Sequence, residues 1–253
     1  MPNHFSTIGF EVETQEDLMA LARQVSDHAQ AIPATLGQYL RWSGSSREEL
    51  WLQIDADGDL IGMNPHFSGE SLVRVGLQTR IHRESDTALD GAFRCWADPE
   101  QDKPDSGAYP FVFDAPDAAT YSDLELPVIA KAQVAAFAHE ITFYASLDAY
   151  DISQANHDVK FAPQSFIPSG LFTPNNIATE PPRAMASFTG HVVQSSVRKN
   201  AITGVPFYWA LVDTLGGRYD VVVGQDLLAQ VPSAGGILSG LFWLSGRLTS
   251  FPK

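Results

Sequence analysis

The chain predicts an α+β protein: a mixed, largely antiparallel N-terminal sheet with one or two helices, followed by a small antiparallel β-barrel. Three observations carry that expectation. Short runs of aromatic and β-branched residues recur between turn signals over much of the chain, as strands do. Helical spacing of apolar residues is confined to two stretches near 14–29 and 127–147. Two further runs flank Gly216-Gly217 in Pro206–Gly224, and a Gly-Gly pair supplies the positive φ that a two-residue hairpin turn requires.

Residues His4 to Glu13 read as a first strand with Phe5, Ile8, Phe10 and Val12 as its apolar positions. Thr14 then caps a helix, with Asp17 at the third helical position and Leu18, Leu21, Ala22, Val25 and Ala29 forming its apolar stripe, a variant of the capping box. Pro33 and Gly37 end this unit. Strands follow at 39–42 and 50–54, and Asp57-Gly58 turns the second into Leu60–Met63. Further strands are expected within 71–83, 91–97 and 109–114, and the acidic stretch 98–108 is expected to be an exposed loop. The alanine-rich stretch 127–147 reads as a second helix, with Val134, Phe137, Ala138, Ile141 and Ala145 on one stripe. From Asp151 to Ala186 prolines break the periodicity, while Phe161, Phe166, Ile167, Leu171 and Phe172 are too apolar for a free linker. The expected organisation is therefore a sheet domain over 1–150, a connector over 151–186 and a barrel over 187–253.

Within the hairpin, Gly216-Gly217 as central turn residues would set Asp213 opposite Asp220 and Val212 opposite Val221. Like charges across a ladder repel, and Arg218, two residues from Asp220 on the same face, is the nearest counter-charge. Trp209, Arg218, Asp213 and Asp220 are accordingly the candidate ligand-binding residues. The aromatics Phe207, Tyr208, Trp209, Tyr219, Phe242 and Trp243 fall on both faces of their strands, a pattern of burial more than of a stacking platform. The strand with Gly190-His191-Val192, the hairpin, a short turn at 226–228 and the glycine-led run 235–248 together resemble an OB-fold, whose faces bind oligonucleotides or sugars. A fifth strand is not visible in this region.

Of 253 residues, 16 are Lys or Arg and 30 are Asp or Glu, a net charge of −14. Residues 1–186 hold 11 basic and 27 acidic residues, a balance of −16, and residues 187–253 hold 5 and 3, a balance of +2. An acidic body repels phosphate backbones, so no nucleic-acid partner is expected. The one cysteine, Cys95, cannot form an internal disulfide, and no apolar run approaches the ~20 residues of a membrane span. A soluble, cytoplasmic protein of bacterial type with no membrane partner is the expectation.

The motifs of common enzymes are not found. His139-Glu140 lacks a second histidine one turn on, because that position is Phe143. Asp55, Asp57 and Asp59 surround Gly58 too early for a calcium loop, and Cys95 reads as a small buried hydrophobe. The N-terminal β-α-β-β-β order opening on His4 resembles one module of the vicinal oxygen chelate superfamily. That resemblance implies a metal-dependent enzyme with His4 as a ligand and His66, Glu70 or His82 as its followers. With no convergent catalytic set in view, the expected function is a non-catalytic binding or scaffold protein acting through a protein or small-ligand surface; the metal-dependent enzyme is the alternative.

Overall fold

The structure is a computed structural model describing residues 3–155, 160–169 and 181–251. It is mostly β, with two α-helices, a four-stranded antiparallel sheet and a nine-stranded sheet. The expected first strand is replaced by a 3-10 turn, Ser6–Ile8, closed by Gly9 at φ 82°. Ile8, Phe10 and Val12 are buried as their spacing suggests. Their backbone is held by side chains instead of a ladder: Asn200 Nδ2 donates to Ile8 O at 2.9 Å and Thr203 Oγ1 to Gly9 O at 2.7 Å. Helix α1, Gln15–Ser26, has the expected capping box between Thr14 and Asp17 and buries Leu21, Ala22 and Val25.

Strands β1 (Gln30–Ala34), β2 (Gly37–Ser43), β3 (Glu48–Asp55) and β4 (Leu60–Phe67) form an antiparallel meander in that order. Pro33 lies inside β1, where an edge strand tolerates it. Asp57-Gly58 turns β3 into β4, with Asp55 Oδ1 accepting from the N–H groups of Asp57 and Asp59 at 3.0 and 2.9 Å. The larger sheet begins with β5 (Val73–Ile81), β6 (Ala92–Ala97) and β7 (Tyr109–Asp114), all three where the sequence places them.

The main correction is at 127–147. The expected helix is strand β8, Val128–Tyr144. Its even-numbered residues Ala130, Ala132, Val134, Ala136 and Ala138 join one core, while Ala135 and Phe137 join the other. A strand buried on both faces reads as a continuous apolar run, and the helix propensity of alanine yields to pairing on both edges. A short helix α2, Leu147–Gln154, follows, capped by Ser146. Strands β9 (Ser165–Pro168), β10 (Met185–Lys199), β11 (Pro206–Thr214), β12 (Gly217–Gly224) and β13 (Ile237–Ser250) complete the sheet. Leu171 and Phe172 lie outside the described residues.

β8 and β13 pair antiparallel from Lys131↔Ser250 to Tyr144↔Ile237, so pairing crosses from the segment before residue 150 to the segment after 187. This long ribbon organises everything else. At one end β5 lies beside β8 and β7 beside β13, with β6 joining them. At the other end β12 lies beside β8 and β10 beside β13, joined by β11. Each end is a closed circuit of five strands in which three neighbours come from one consecutive run and the ribbon supplies the other two. Both circuits close through a parallel contact, Asp114↔Ser245 in one and Asp220↔Ala135 to Val222↔Phe137 in the other. Each also carries a bulge on its first strand, at Gln78 and at Val193. The chain thus repeats one arrangement, β5–β8 and β10–β13, with the fourth strands side by side.

One face of the ribbon looks into the core of both circuits, including Phe93, Phe111, Phe113, Tyr219, Val221 and Phe242. The other face is covered by α1 and the four-stranded sheet through Leu50, Leu52, Met63 and Phe67 against Phe137, Trp209, Val222 and Trp243.

Candidate functional site

On that covered face, near the ribbon midpoint, lies a buried polar chain. His66, at the end of β4, places Nδ1 2.8 Å from Ser245 Oγ of β13 and Nε2 2.9 Å from Gln133 Oε1 of β8. Gln133 Nε2 donates to Phe67 O at 3.1 Å and to Asp220 Oδ2 at 2.9 Å. Because both of those atoms only accept, the Gln133 oxygen must face His66. His66 Nε2 therefore carries the proton, and the Ser245 hydroxyl donates to the bare Nδ1. Burial pulls the His66 pKa down to about 4, with the Glu49 carboxylate opposing and the Arg247 charge reinforcing the shift. The ring is neutral at ordinary pH.

Asp220 ends this chain and is fully buried. It accepts from the backbone N–H of Glu70 and Ser71, both at 2.8 Å, from Trp209 Nε1 at 2.9 Å and from Gln133. Gly69 packs on the carboxylate so closely that a Cβ there would lie 2.0 Å from its carbon. On the other side of His66, Trp51 Nε1 donates to Glu49 Oε2 at 2.8 Å, Arg41 pairs with Glu49, and Arg247 lies 4.5 Å over the Trp51 ring while pairing with Asp117 at 2.9 Å. These groups engage one another across the two layers as a clamp, with Asp117 Oδ1 left without a hydrogen-bond partner among the described residues.

Ser245 also borders a cavity of about 130 Å³ with Asn64, Arg83, Asp90, Asp114 and Trp243. It is below the ~300 Å³ of a drug-sized pocket and large enough for a few waters. On its wall the buried Arg83 Nε has no hydrogen-bond partner among the described residues. Arg83 Nη1 stands 2.9 Å from Asp114 Oδ1 as an ion pair, and Trp243 Nε1 donates to Asp114 Oδ2 at 2.6 Å. Burial raises the Asp114 pKa against the pull of Arg83.

The hairpin forms, with a register different from the expected one. Thr214 pairs with Gly217, Asp213 with Arg218 and Leu211 with Asp220, so Leu215 and Gly216 are the central turn residues. Gly216 takes the left-handed region at φ 78° and Gly217 a second positive φ at 154°, and the Tyr109 hydroxyl donates to Leu215 O at 2.7 Å. Asp213 therefore faces a cation: Arg218 Nε is 3.1 Å from Asp213 Oδ1 at the surface. Asp220 takes no part in that pair. Trp209 is buried between Phe67 and the Arg198 guanidinium, which lies 5.0 Å from its ring centre.

His4 does not meet His66, Glu70 or His82. It meets His139, with 2.9 Å between the two Nε2 atoms. Among the described residues no group of three His, Cys, Asp or Glu side chains could hold a metal ion. Cys95 is buried, which pushes its thiol well up. The signals that sequence reasoning passed over are Gln133, polar within an alanine run, and Ser245 within an apolar strand; a buried polar residue in a strand requires a partner.

A separate groove of about 340 Å³ opens where β8, β13, β10 and β9 meet. Ile141, Phe161, Ile167 and Leu241 give it an apolar wall and Thr142 and Ser239 a polar one. Phe161 and Ile167 are about half exposed, at 49% and 46%.

No family model matches this chain, and neither the curated proteins nor the solved structures include a match. No helix among the described residues is long and apolar enough to cross a membrane.

Proposed function

We propose that this is a non-catalytic binding protein that takes a small, mainly apolar ligand in the groove between β8, β13, β10 and β9. The observation that carries the reading is the groove itself, which falls within the ~300–1,000 Å³ range of ligand sites and combines an apolar wall with a few polar groups. The engaged state of the polar chain around His66 supports it, because each of those groups already serves another. The circuit β10–β11–β12–β8–β13 supports an OB-like barrel in which β8 takes the place of the fifth strand that the C-terminal region lacks. Phe188, Tyr208, Tyr219 and Phe242 face its interior, while Phe137, Phe207, Trp209 and Trp243 are buried against the other layer and offer no stacking platform. The acidic body argues against nucleic acid as the ligand, and the single cysteine suits a reducing cytoplasm.

The test uses the environment-sensitive dye 8-anilinonaphthalene-1-sulfonate. The native protein should bind it with enhanced fluorescence, and Ile167→Asp and Phe161→Ser should each weaken binding several-fold while leaving the melting temperature within a few degrees. Dye binding that is unchanged in both variants would remove the groove from consideration.

A further inference from the structure

The contact between His4 and His139 has a geometry that neither the fold nor the groove requires. The His4 ring lies flat on the Trp243 indole, with centroids 3.9 Å apart and planes 2° from parallel. That stack fixes the plane in which His4 Nε2 points. His139 sits at a bulge of β8, since Ala138 pairs with Phe242 and Glu140 with Leu241. A bulge re-aims the side chain it frees, and here it turns His139 Nε2 to within 2.9 Å of His4 Nε2. Neither ring has a carboxylate within ion-pair distance among the described residues. Burial, then the neighbouring ring, pulls the His4 pKa to about 4, and burial also lowers that of His139.

We propose that His4 and His139 form a binding site for a divalent transition ion of the imidazole-preferring kind, Zn(II), Ni(II) or Cu(II), with both Nε2 atoms as ligands. A 2.9 Å contact between two ring nitrogens requires that one of them be bare, so a lone pair is at hand in the pair as it stands. One ring holds its proton on Nε2 to bridge the pair, and that proton moves to Nδ1 of the same ring when the ion enters. Imidazole nitrogens bind zinc at about 2.0–2.1 Å, which places two of them about 3.3 Å apart in a tetrahedral site. The pair therefore opens by a few tenths of an ångström. Part-exposed His139 lets water complete the coordination, and with two protein ligands the affinity belongs in the micromolar range. The bound ion would pin the N-terminal turn to β8. This site is independent of the groove, and it gives His4 a partner that the order of the chain did not suggest.

Calorimetric titration of the full chain with ZnCl₂ and with NiCl₂ tests it. The expected result is one ion per chain, binding at least tenfold weaker in His139→Gln and in His4→Phe, the latter keeping an aromatic ring on Trp243. The melting temperature should rise with zinc in the native protein and not in either variant. Full-strength binding in His139→Gln would assign the ion to His4 and its own backbone, and so overturn the pair. Absence of saturable binding tighter than about 100 μM in the native protein would overturn it as well.

Discussion

The two ends of the β8–β13 ribbon solve one problem with different residues. At the β5–β6–β7 end the rings lie on the second and third strands, Phe93, Tyr109, Phe111 and Phe113, with Val73, Val75 and Leu77 on the first; at the β10–β11–β12 end each strand supplies one ring, Phe188, Tyr208 and Tyr219, among Val192, Val212, Val221 and Val223. Both ends close at an aspartate that accepts an indole N–H, Asp114 from Trp243 and Asp220 from Trp209. Asp220 is sealed by four donors, whereas Asp114 borders a cavity and keeps an arginine beside it. The same pairing order therefore does not need the same side chains. It needs three consecutive antiparallel strands, a bulge on the first, and a ribbon that accepts both edges.

Removing the two closing carboxylates should separate the ends most clearly. Asp220→Ala leaves four N–H groups without an acceptor, three of them on the buried residues Ser71, Gln133 and Trp209, and should cost about 3 kcal/mol or more, because orphaned buried donors retain their desolvation penalty. Asp114→Ala leaves Arg83 and Trp243 beside a cavity that water can enter, and should cost about 1–2 kcal/mol. Urea melting of the two variants gives both numbers, and equal losses would mean that the two closures are equivalent.

His66, which bridges the strands of the ribbon, should make stability depend on pH. Its pKa falls from 6.5 to about 4 on folding, so between those values the unfolded chain binds more protons and stability declines as pH falls. The full shift corresponds to about 3 kcal/mol, present at pH 7 and lost on approach to pH 4. His66→Gln should flatten the dependence in that window by up to about 1.4 kcal/mol per pH unit. His4 has a similar shift, so His4→Phe should flatten it further. An unchanged slope in His66→Gln would show that the ring titrates alike in both states.

The smallest effect lies at the hairpin. Arg218→Ala and Asp213→Ala should couple by about 0.2–1 kcal/mol in a double-mutant cycle, as an exposed pair does. Arg218→Ala and Asp220→Asn should be additive, since those side chains belong to different environments. The reverse pattern would restore the register with two glycines at the turn centre.

Local signals carried much of the fold. Thr14 and Asp17 announce α1, Asp57-Gly58 and the Gly216 region mark hairpins, and β6 and β7 follow the aromatic runs 91–97 and 109–114. What escaped were features decided by distant partners. The alanines of β8 favour helix in isolation, and only strands on both of its edges make small side chains an advantage. The register at Gly216 depends on Tyr109 and on the donors that draw Asp220 inward. The repetition of β5–β8 in β10–β13 is a repetition of pairing order, and the residues filling the two interiors differ too much for the eye to match them. His66 stands out in the sequence only as a possible co-ligand of His4, and its actual partners Ser245 and Gln133 lie 179 and 67 residues away.

Residues 128–144 form a strand shared by both ends, and nuclear Overhauser contacts in a labelled, deuterated sample test this directly. Backbone contacts should connect Ala136 to Leu244, Thr142 to Ser239 and Ala135 to Asp220, joining β8 to β13 on one edge and to β12 on the other. Strong sequential amide–amide contacts through 128–144, with no cross-strand contacts to 237–250, would show a helix there and contradict the shared ribbon.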